Sequence, residues 1–290
     1  MNPWIETYRG TVHRWEVDNV DHFTVAYYFD RLADASVTVL EALGLRPTRP
    51  GRGSGDWSTV DCYVRYLHEL RMADILHILT GVIQVEANGL LLGHKVFDSA
   101  HDAVCATIEQ RIRRQRGRAP VALTGRQRRA LEGRRVDWDG PPREHRHAPA
   151  GDAGFHDTSR DTVTPWEIDV GGQIALSHYI HRFSAANAQL MARFGMTPAY
   201  MSEQRRGFST FEFQLAFLGQ LRAGDLVLVK SGLVRLGNTS FHVLHRMFQA
   251  GTGTLVATLH QLGVHLDLDA RRPTPLPEEL REQAKALVVV

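Results

Sequence analysis

Arg9-Gly10-Thr11-Val12-His13-Arg14-Trp15-Glu16-Val17-Asp18 returns later in the chain as Arg160-Asp161-Thr162-Val163-Thr164-Pro165-Trp166-Glu167-Ile168-Asp169. Working outward from that pair, a constant shift of 151 residues aligns 9–110 with 160–261 without a gap, and 23 of the 102 positions are identical. Chance pairing at ordinary residue usage gives roughly 6–7. The other matches also fall in runs: Leu70-Arg71-x-x-Asp74 with Leu221-Arg222-x-x-Asp225, and Ala106-Thr107-x-x-Gln110 with Ala257-Thr258-x-x-Gln261. Solenoid units repeat every ~20–50 residues, so a repeat this long reads as two copies of one domain, paired as a homodimer would be. A site built twice is then the place to look for function.

Composition narrows the class. The 290 residues are 43% hydrophobic and 23% charged, with a net charge of +2, ordinary for a globular chain of two domains. Apolar runs are too short and interrupted to span a bilayer, and residues 1–15 lack the pattern of a secretory signal. Cys62 and Cys105 both fall in the first copy and read as reduced core thiols rather than a disulfide framework. A cytoplasmic protein without membrane contact is expected. Residues 111–150 hold twelve Arg and four acids. The basic run lacks interleaved aromatics or a nucleic-acid module, so nucleic acid is not an expected partner. With its prolines and glycines, it reads as a partly disordered linker without a counterpart after the second copy, carrying a short helix near Gly125–Gly133.

Each copy opens with an alternating segment, Tyr8–Val17 and Arg160–Ile168, that reads as a strand. Asp18-Asn19-Val20-Asp21 and Asp169-Val170-Gly171-Gly172 suit a turn and helix N-cap. Phe23, Ala26, Tyr27, Phe29, Leu32, Ala33, Val37, Leu40 and Leu43 then recur at helical spacing. Gly44 and Gly195 stop this helix, with Pro47 and Pro198 soon after. Four strands follow in each copy: Thr59–Leu70, Asp74–Val85, Leu90–Phe97 and Val104–Ile112, matched by Thr210–Leu221, Asp225–Leu236, Phe241–Phe248 and Leu255–Leu266. The short joins imply antiparallel neighbours. One long apolar helix must bury its face against the sheet. Trp15 and Trp166 read as packing residues at the sheet edge, and His94 and His245 as core histidines with satisfied hydrogen bonds.

This order resembles that of a hotdog fold. The run Trp15 to Tyr28 resembles the signature of acyl-CoA thioesterases of the 4-hydroxybenzoyl-CoA thioesterase class, in which an Asp ends the first strand, a Gly-His pair opens the helix and a Tyr lies ten residues after the Asp. Tyr28 and Tyr179 stand ten residues after Asp18 and Asp169. Val25-Ala26-Tyr27-Tyr28, Tyr66-Leu67-His68-Glu69-Leu70, and His245-Arg246-Met247-Phe248 through Thr258 with His265-Leu266-Asp267 are similar to betainyl-CoA thioesterase-type proteins. The resemblance implies an α+β double hotdog: a first hotdog domain at 1–112, a linker at 113–158, a second hotdog domain at 159–270, and a tail at 271–290 with a short helix. Where that family has Gly-His, the first copy has Asp21-His22 and the second Gly172-Gln173.

Thioester hydrolysis needs a base or nucleophile at the acyl carbon and donors for the developing oxyanion. A carboxylate at a helix N-terminus, facing the meeting of the two halves, would supply the first. The orphan amides of the helix start would supply the second. Asp18, Asp169 and His22 are the catalytic candidates; Asp21, Tyr28, Gly172, Gln173 and Tyr179 are the substrate-binding candidates. Gln173 hydrogen-bonds but cannot move a proton. An Asp before a helix is also an ordinary N-cap. Arg31/Arg182 and Arg71/Arg222 are either structural ion pairs or partners for coenzyme A phosphates. His178 and His181 lack a third ligand at metal spacing, so neither metal nor redox cofactor is expected. The expected activity is hydrolysis of a small acyl-CoA to a carboxylic acid and coenzyme A. The alternatives are a hotdog hydratase or dehydratase, whose Asp-x-x-x-x-His spacing Asp18 and His22 miss by one residue, and a non-catalytic acyl-binding protein. Symmetry allows a homodimer of double-hotdog chains.

Overall fold

Gly44 and Gly195 take φ of +68° and +95°, the left-handed conformation that a glycine adopts freely and that turns the chain out of a helix. They close the two long helices of the computed structural model, which describes residues 3–45, 56–117, 119–169 and 172–289. Pro47, Val170 and Gly171 lie outside the described residues. The chain divides into two compact units, Met1–Arg143 and Glu144–Val290.

The first unit holds β1 (Ile5–Thr11), α1 (Val25–Ala42), β2 (Asp56–Tyr66), β3 (Ile75–Val85), β4 (Gly89–Asp98), β5 (Ala103–Arg116), β6 (Ala119–Pro120) and α2 (Gly125–Glu132). Its strands form an antiparallel sheet in the order β1-β3-β4-β5-β2, with β6 paired to β5. The second unit holds β7 (His156–Thr162), α3 (Leu176–Ala192), α4 (Pro198–Glu203), β8 (Arg206–Phe217), β9 (Leu226–Leu236), β10 (Ser240–Gln249), β11 (Thr254–Asp267), β12 (Arg272–Pro273) and α5 (Glu278–Lys285). Its order, β7-β9-β10-β11-β8 with β12 on β11, repeats the first.

Each long helix buries one stripe. Ala26, Phe29, Leu32, Ala35 and Val39 of α1, and Ile180, Phe183, Ala186 and Leu190 of α3, are fully buried. A Leu or Phe removed from water contributes roughly 1.5–3 kcal/mol, so each stripe adds several kcal/mol of apolar stabilisation to its unit.

A polar rib crosses that core. In the first unit Thr7 meets Thr80 at 2.7 Å, Thr80 meets His94 Nδ1 at 2.9 Å, and His94 Nε2 meets Gln110 Oε1 at 3.1 Å. Gln110 then donates to Thr59 at 2.8 Å. One residue thus comes from each of β1, β3, β4, β5 and β2. The second unit repeats the rib through Thr158, Ser231, His245, Gln261 and Thr210, at 2.7, 2.6, 3.2 and 2.8 Å. Burial pushes His94 down to about 4 and His245 to about 3, against the opposing bonds to Gln110 and Gln261. Both are therefore neutral hydrogen-bond links in the core.

Three local features differ from the expectation. The segment Tyr8–Val17 is not one strand: β1 ends at Thr11, and Arg14–Glu16 forms a 3-10 turn, as does Pro165–Glu167. The Glu of Trp-Glu folds back, Glu16 accepting from His13 N at 2.9 Å and Glu167 from Thr164 N at 2.7 Å. This closure throws Trp15 and Trp166 outward, 71% and 80% exposed, so they do not pack at the sheet edge.

The second difference concerns the helix starts. Thr24 is the N-cap of α1 and Ala175 that of α3, so Asp18 and Asp169 are not caps.

The third concerns the Arg-rich stretch, much of which is folded on the first unit. Leu123 and Leu131 enter its core with Leu40, Leu90 and Ile112. Val136 bonds Val82 O at 2.9 Å, and Trp138 donates to Glu109 at 2.8 Å. The stretch also has a counterpart. β6, α2 and the bridge at Val82 reappear as β12, α5 and the bridge of Val288 to Leu233. The shift is now 153 rather than 151, and Pro120/Pro273, Leu123/Leu276, Arg128/Arg281 and Val136/Val289 are the identities.

Candidate active site

Asp18 governs a five-residue turn. Its backbone N–H donates to His22 O at 2.9 Å, and its Oδ1 accepts from Val20 N and His22 N, both at 3.0 Å. Val17 bridges to Phe23 across the turn. An Asp side chain that bonds its own following amides is what makes this residue type a turn former. In the second unit Asp169 does the same: its N–H donates to Gln173 O at 2.7 Å, and its Oδ1 accepts from Gln173 N at 3.1 Å.

The position before His22 and Gln173 is left-handed in both units, φ 64° at Asp21 and 77° at Gly172. That conformation is why a glycine suits the position, and why Asp, which tolerates it better than most residues, can stand there. The departure at Asp21 therefore leaves the turn's backbone unchanged. Asp21 is exposed, His22 and Asp18 half-buried, and Asp169 exposed.

The turn docks on the loop after β2. Phe23 N donates to Leu70 O at 2.7 Å, and Ile174 N donates to Leu221 O at 3.2 Å. In the first unit this docking brings His22 Nε2 to 2.8 Å from Glu69 Oε1, while Glu69 Oε2 accepts from Arg71 at 2.9 Å. Sequence reasoning missed Glu69; its signal was the switch to Gln220 at the matching position, alongside His22 to Gln173. Asp74 closes the loop by accepting from Arg71 N at 2.7 Å, as Asp225 does for Arg222 N at 2.8 Å.

Tyr28 and Tyr179 are buried inside their own units. Tyr28 stands edge-on to Tyr66 with ring centroids 5.1 Å apart, and Tyr179 edge-on to Phe217 at 5.0 Å. Burial pushes both phenols well above their usual range. They form the aromatic wall behind each turn and hold their protons at neutral pH.

The duplicated arginines of the helices are committed to structure. Arg31 pairs with the buried Glu16. Arg182, 5% exposed, donates to Asp161 at 2.9 Å and to both oxygens of Glu167 at 2.9 and 3.0 Å. Burial pushes the Glu167 carboxyl up, but its bonds from Arg182 and Thr164 outweigh this and hold it at about 2. Glu16 O and Glu167 O accept from Thr24 N and Ala175 N at 2.8 and 2.9 Å, so each ion pair fixes where its long helix begins.

The turn thus offers a carboxylate and, in the first unit, an imidazole held by a second carboxylate. These lie ahead of a helix whose first amides carry the positive end of its dipole.

Comparison with known proteins places the chain. The family model of the thioesterase-like superfamily matches residues 12–119 and 163–284. The chain is 28% identical over 130 residues to the betainyl-CoA thioesterase of Pseudomonas aeruginosa, covering 45% of this chain and 82% of that one. It is 24% identical over 120 residues to the L-carnitine dehydrogenase/betainyl-CoA thioesterase of Rhizobium meliloti, covering 41% of this chain and 24% of the relative. Among solved structures, an acyl-ACP thioesterase from Bacteroides thetaiotaomicron superposes with a TM-score of 0.70 at 13% identity, covering 90% of this chain and 98% of that one. The 12:0-ACP thioesterase of Umbellularia californica gives 0.69 at 12%, with 94% and 95% covered. Two hotdog units in tandem, with the family model matched once in each, make the chain a member of the thioesterase-like superfamily, whose chemistry is thioester hydrolysis.

Proposed function

We propose that the chain hydrolyses a small acyl-CoA to a carboxylic acid and coenzyme A, with Asp18 as base or nucleophile. As a base, the Asp18 carboxylate takes a proton from water as the water oxygen bonds to the acyl carbon. The oxyanion is met by amides of the first turn of α1, which begins at Val25. The tetrahedral adduct then collapses, the carbon–sulfur bond breaks, and the thiolate of coenzyme A leaves with that proton. His22 assists by hydrogen bonding or proton transfer. Asp21 and the aromatic wall behind Tyr28 border the acyl group, and Asp169, Gly172, Gln173 and Tyr179 form the corresponding set in the second unit.

The observation that carries this reading is the Asp18 turn. A half-buried carboxylate is locked by two backbone amides ahead of a helix start that makes no side-chain cap bond. Support for a small, cationic acyl group comes from the relatives that act on betainyl-CoA. The test is release of free thiol by the full chain from short, branched, aromatic and trimethylammonium acyl-CoAs. Turnover of at least one is expected, with the cationic substrate preferred. A folded protein that releases thiol from none would overturn the reading.

A further inference from the structure

We infer that Glu69 is a positioning residue for His22, and that this pair makes the first unit the hydrolysing one, leaving the second unit's turn to bind. The inference rests on the thioesterase reading above.

His22 Nε2 lies 2.8 Å from Glu69 Oε1. Glu69 is itself held by Arg71 at 2.9 Å, and the His22 backbone amide donates to the Asp18 carboxylate. One short turn therefore ties imidazole and base together. A carboxylate on one ring nitrogen fixes the tautomer and orientation of the ring.

The internal repeat supplies the comparison. The second unit keeps Asp169, the left-handed glycine, the Leu221 docking bond and Arg222, yet has Gln173 for His22 and Gln220 for Glu69. Both members of the pair change together while the backbone around them stays. Neither amide can take or release a proton, so the second turn keeps the Asp169 carboxylate and its hydrogen bonding but has no imidazole–carboxylate pair to move a proton beside it. A stability role explains the joint change poorly. Partly exposed ion pairs contribute little to folding, and the second unit folds the same turn without one.

The second unit also provides a built-in control. The variant His22→Gln/Glu69→Gln gives the first unit the residues the second already folds with, so loss of activity cannot be put down to failure to fold. Thiol release by the full chain is measured for Glu69→Gln, His22→Gln and the double variant, with the melting temperature of each. Glu69→Gln is expected to lower kcat about 10-fold or more at nearly unchanged KM and melting temperature, within the range typical of outer-shell partners and acid–base groups. The double variant is expected to fall no further than His22→Gln alone. If both units hydrolysed equally, the double variant would keep about half of the turnover, and retention at that level overturns the assignment. Glu69→Gln at the wild-type rate, or losses that multiply in the double variant, overturn the positioning role while the thioesterase reading stands. A wild-type chain that turns over nothing overturns both.

Discussion

His94 Nε2 lies 3.1 Å from Gln110 Oε1 at the centre of the first unit's sheet, and His245 meets Gln261 at 3.2 Å at the matching place in the second. Both rings are fully buried. Burial keeps them neutral in the folded state, down to about 4 and about 3, while an unfolded chain protonates histidine near 6.5. Between those values the unfolded state binds more protons. The stability these groups confer is therefore complete above pH ~6.5 and is lost as pH falls toward 4 and below. Each should forfeit about 2 kcal/mol by pH 5. Thermal unfolding between pH 8 and pH 4.5 checks this: the midpoint should fall steeply below pH 6.5, and less so in His245→Gln. A flat profile would mean that the rib opens to water.

The left-handed turn position gives a paired prediction. Gly172 has open space where the methyl group of an alanine would stand but φ of +77°, and Asp21 holds φ of 64°. Gly172→Ala should cost about 1 kcal/mol from backbone strain alone, and Asp21→Gly should leave stability level or raise it slightly. Melting temperatures moving the opposite way in both variants would contradict the shared conformation.

Arg182 should be among the most sensitive charged positions. Removing it leaves Glu167 and Asp161 without their guanidinium partner beneath the start of α3. Arg182→Ala is expected to cost about 1.5–3 kcal/mol, the range for lost hydrogen bonds to charged groups, since Glu167 is partly buried and Asp161 exposed. Trp166→Ala, at an exposed side chain in the 3-10 turn that also holds Glu167, should fall within about 0.5 kcal/mol of wild type. Denaturant midpoints of the two variants separate the outcomes.

Leu131, in the stretch with the basic excess, tests whether that stretch belongs to the fold. It is buried with Leu40, Leu123 and Ile112, so Leu131→Ala should cost about 2–5 kcal/mol. A cost under about 0.5 kcal/mol would return the stretch to the status of a tether.

The long helices, the four later strands and their order were legible because hydrophobic period and glycine stops agree with one another, and because each pattern occurs twice. The boundary before the first helix was not. Trp-Glu in an alternating segment looks like a strand until Glu16 and Glu167 are seen to fold back on the amides of His13 and Thr164, a bond that leaves no trace in periodicity. The counterpart of the Arg-rich stretch was hidden by a two-residue change in shift and by only four identities between residues 119–136 and 272–289. At the candidate site, Asp18, Asp21, His22 and their matches Asp169, Gly172 and Gln173 were legible, since all lie in one run per copy. Glu69 lies 47 positions from His22 in sequence and is joined to it only by docking of the turn on the loop after β2. The rib behind His94 was half visible: His94 and Gln110 match their copies, but that Thr7, Thr80 and Thr59 align with them across five strands follows only from register.

The most direct test of the central claim is the rate of thiol release by Asp18→Asn on the best acyl-CoA of the panel. Asn keeps the Oδ1 acceptor that holds Val20 N and His22 N, so the turn and the melting temperature should persist. The base or nucleophile is gone, and kcat should fall by about 100-fold or more. A folded Asp18→Asn protein that hydrolyses at the wild-type rate would contradict the account and reduce Asp18 to the anchor of its turn.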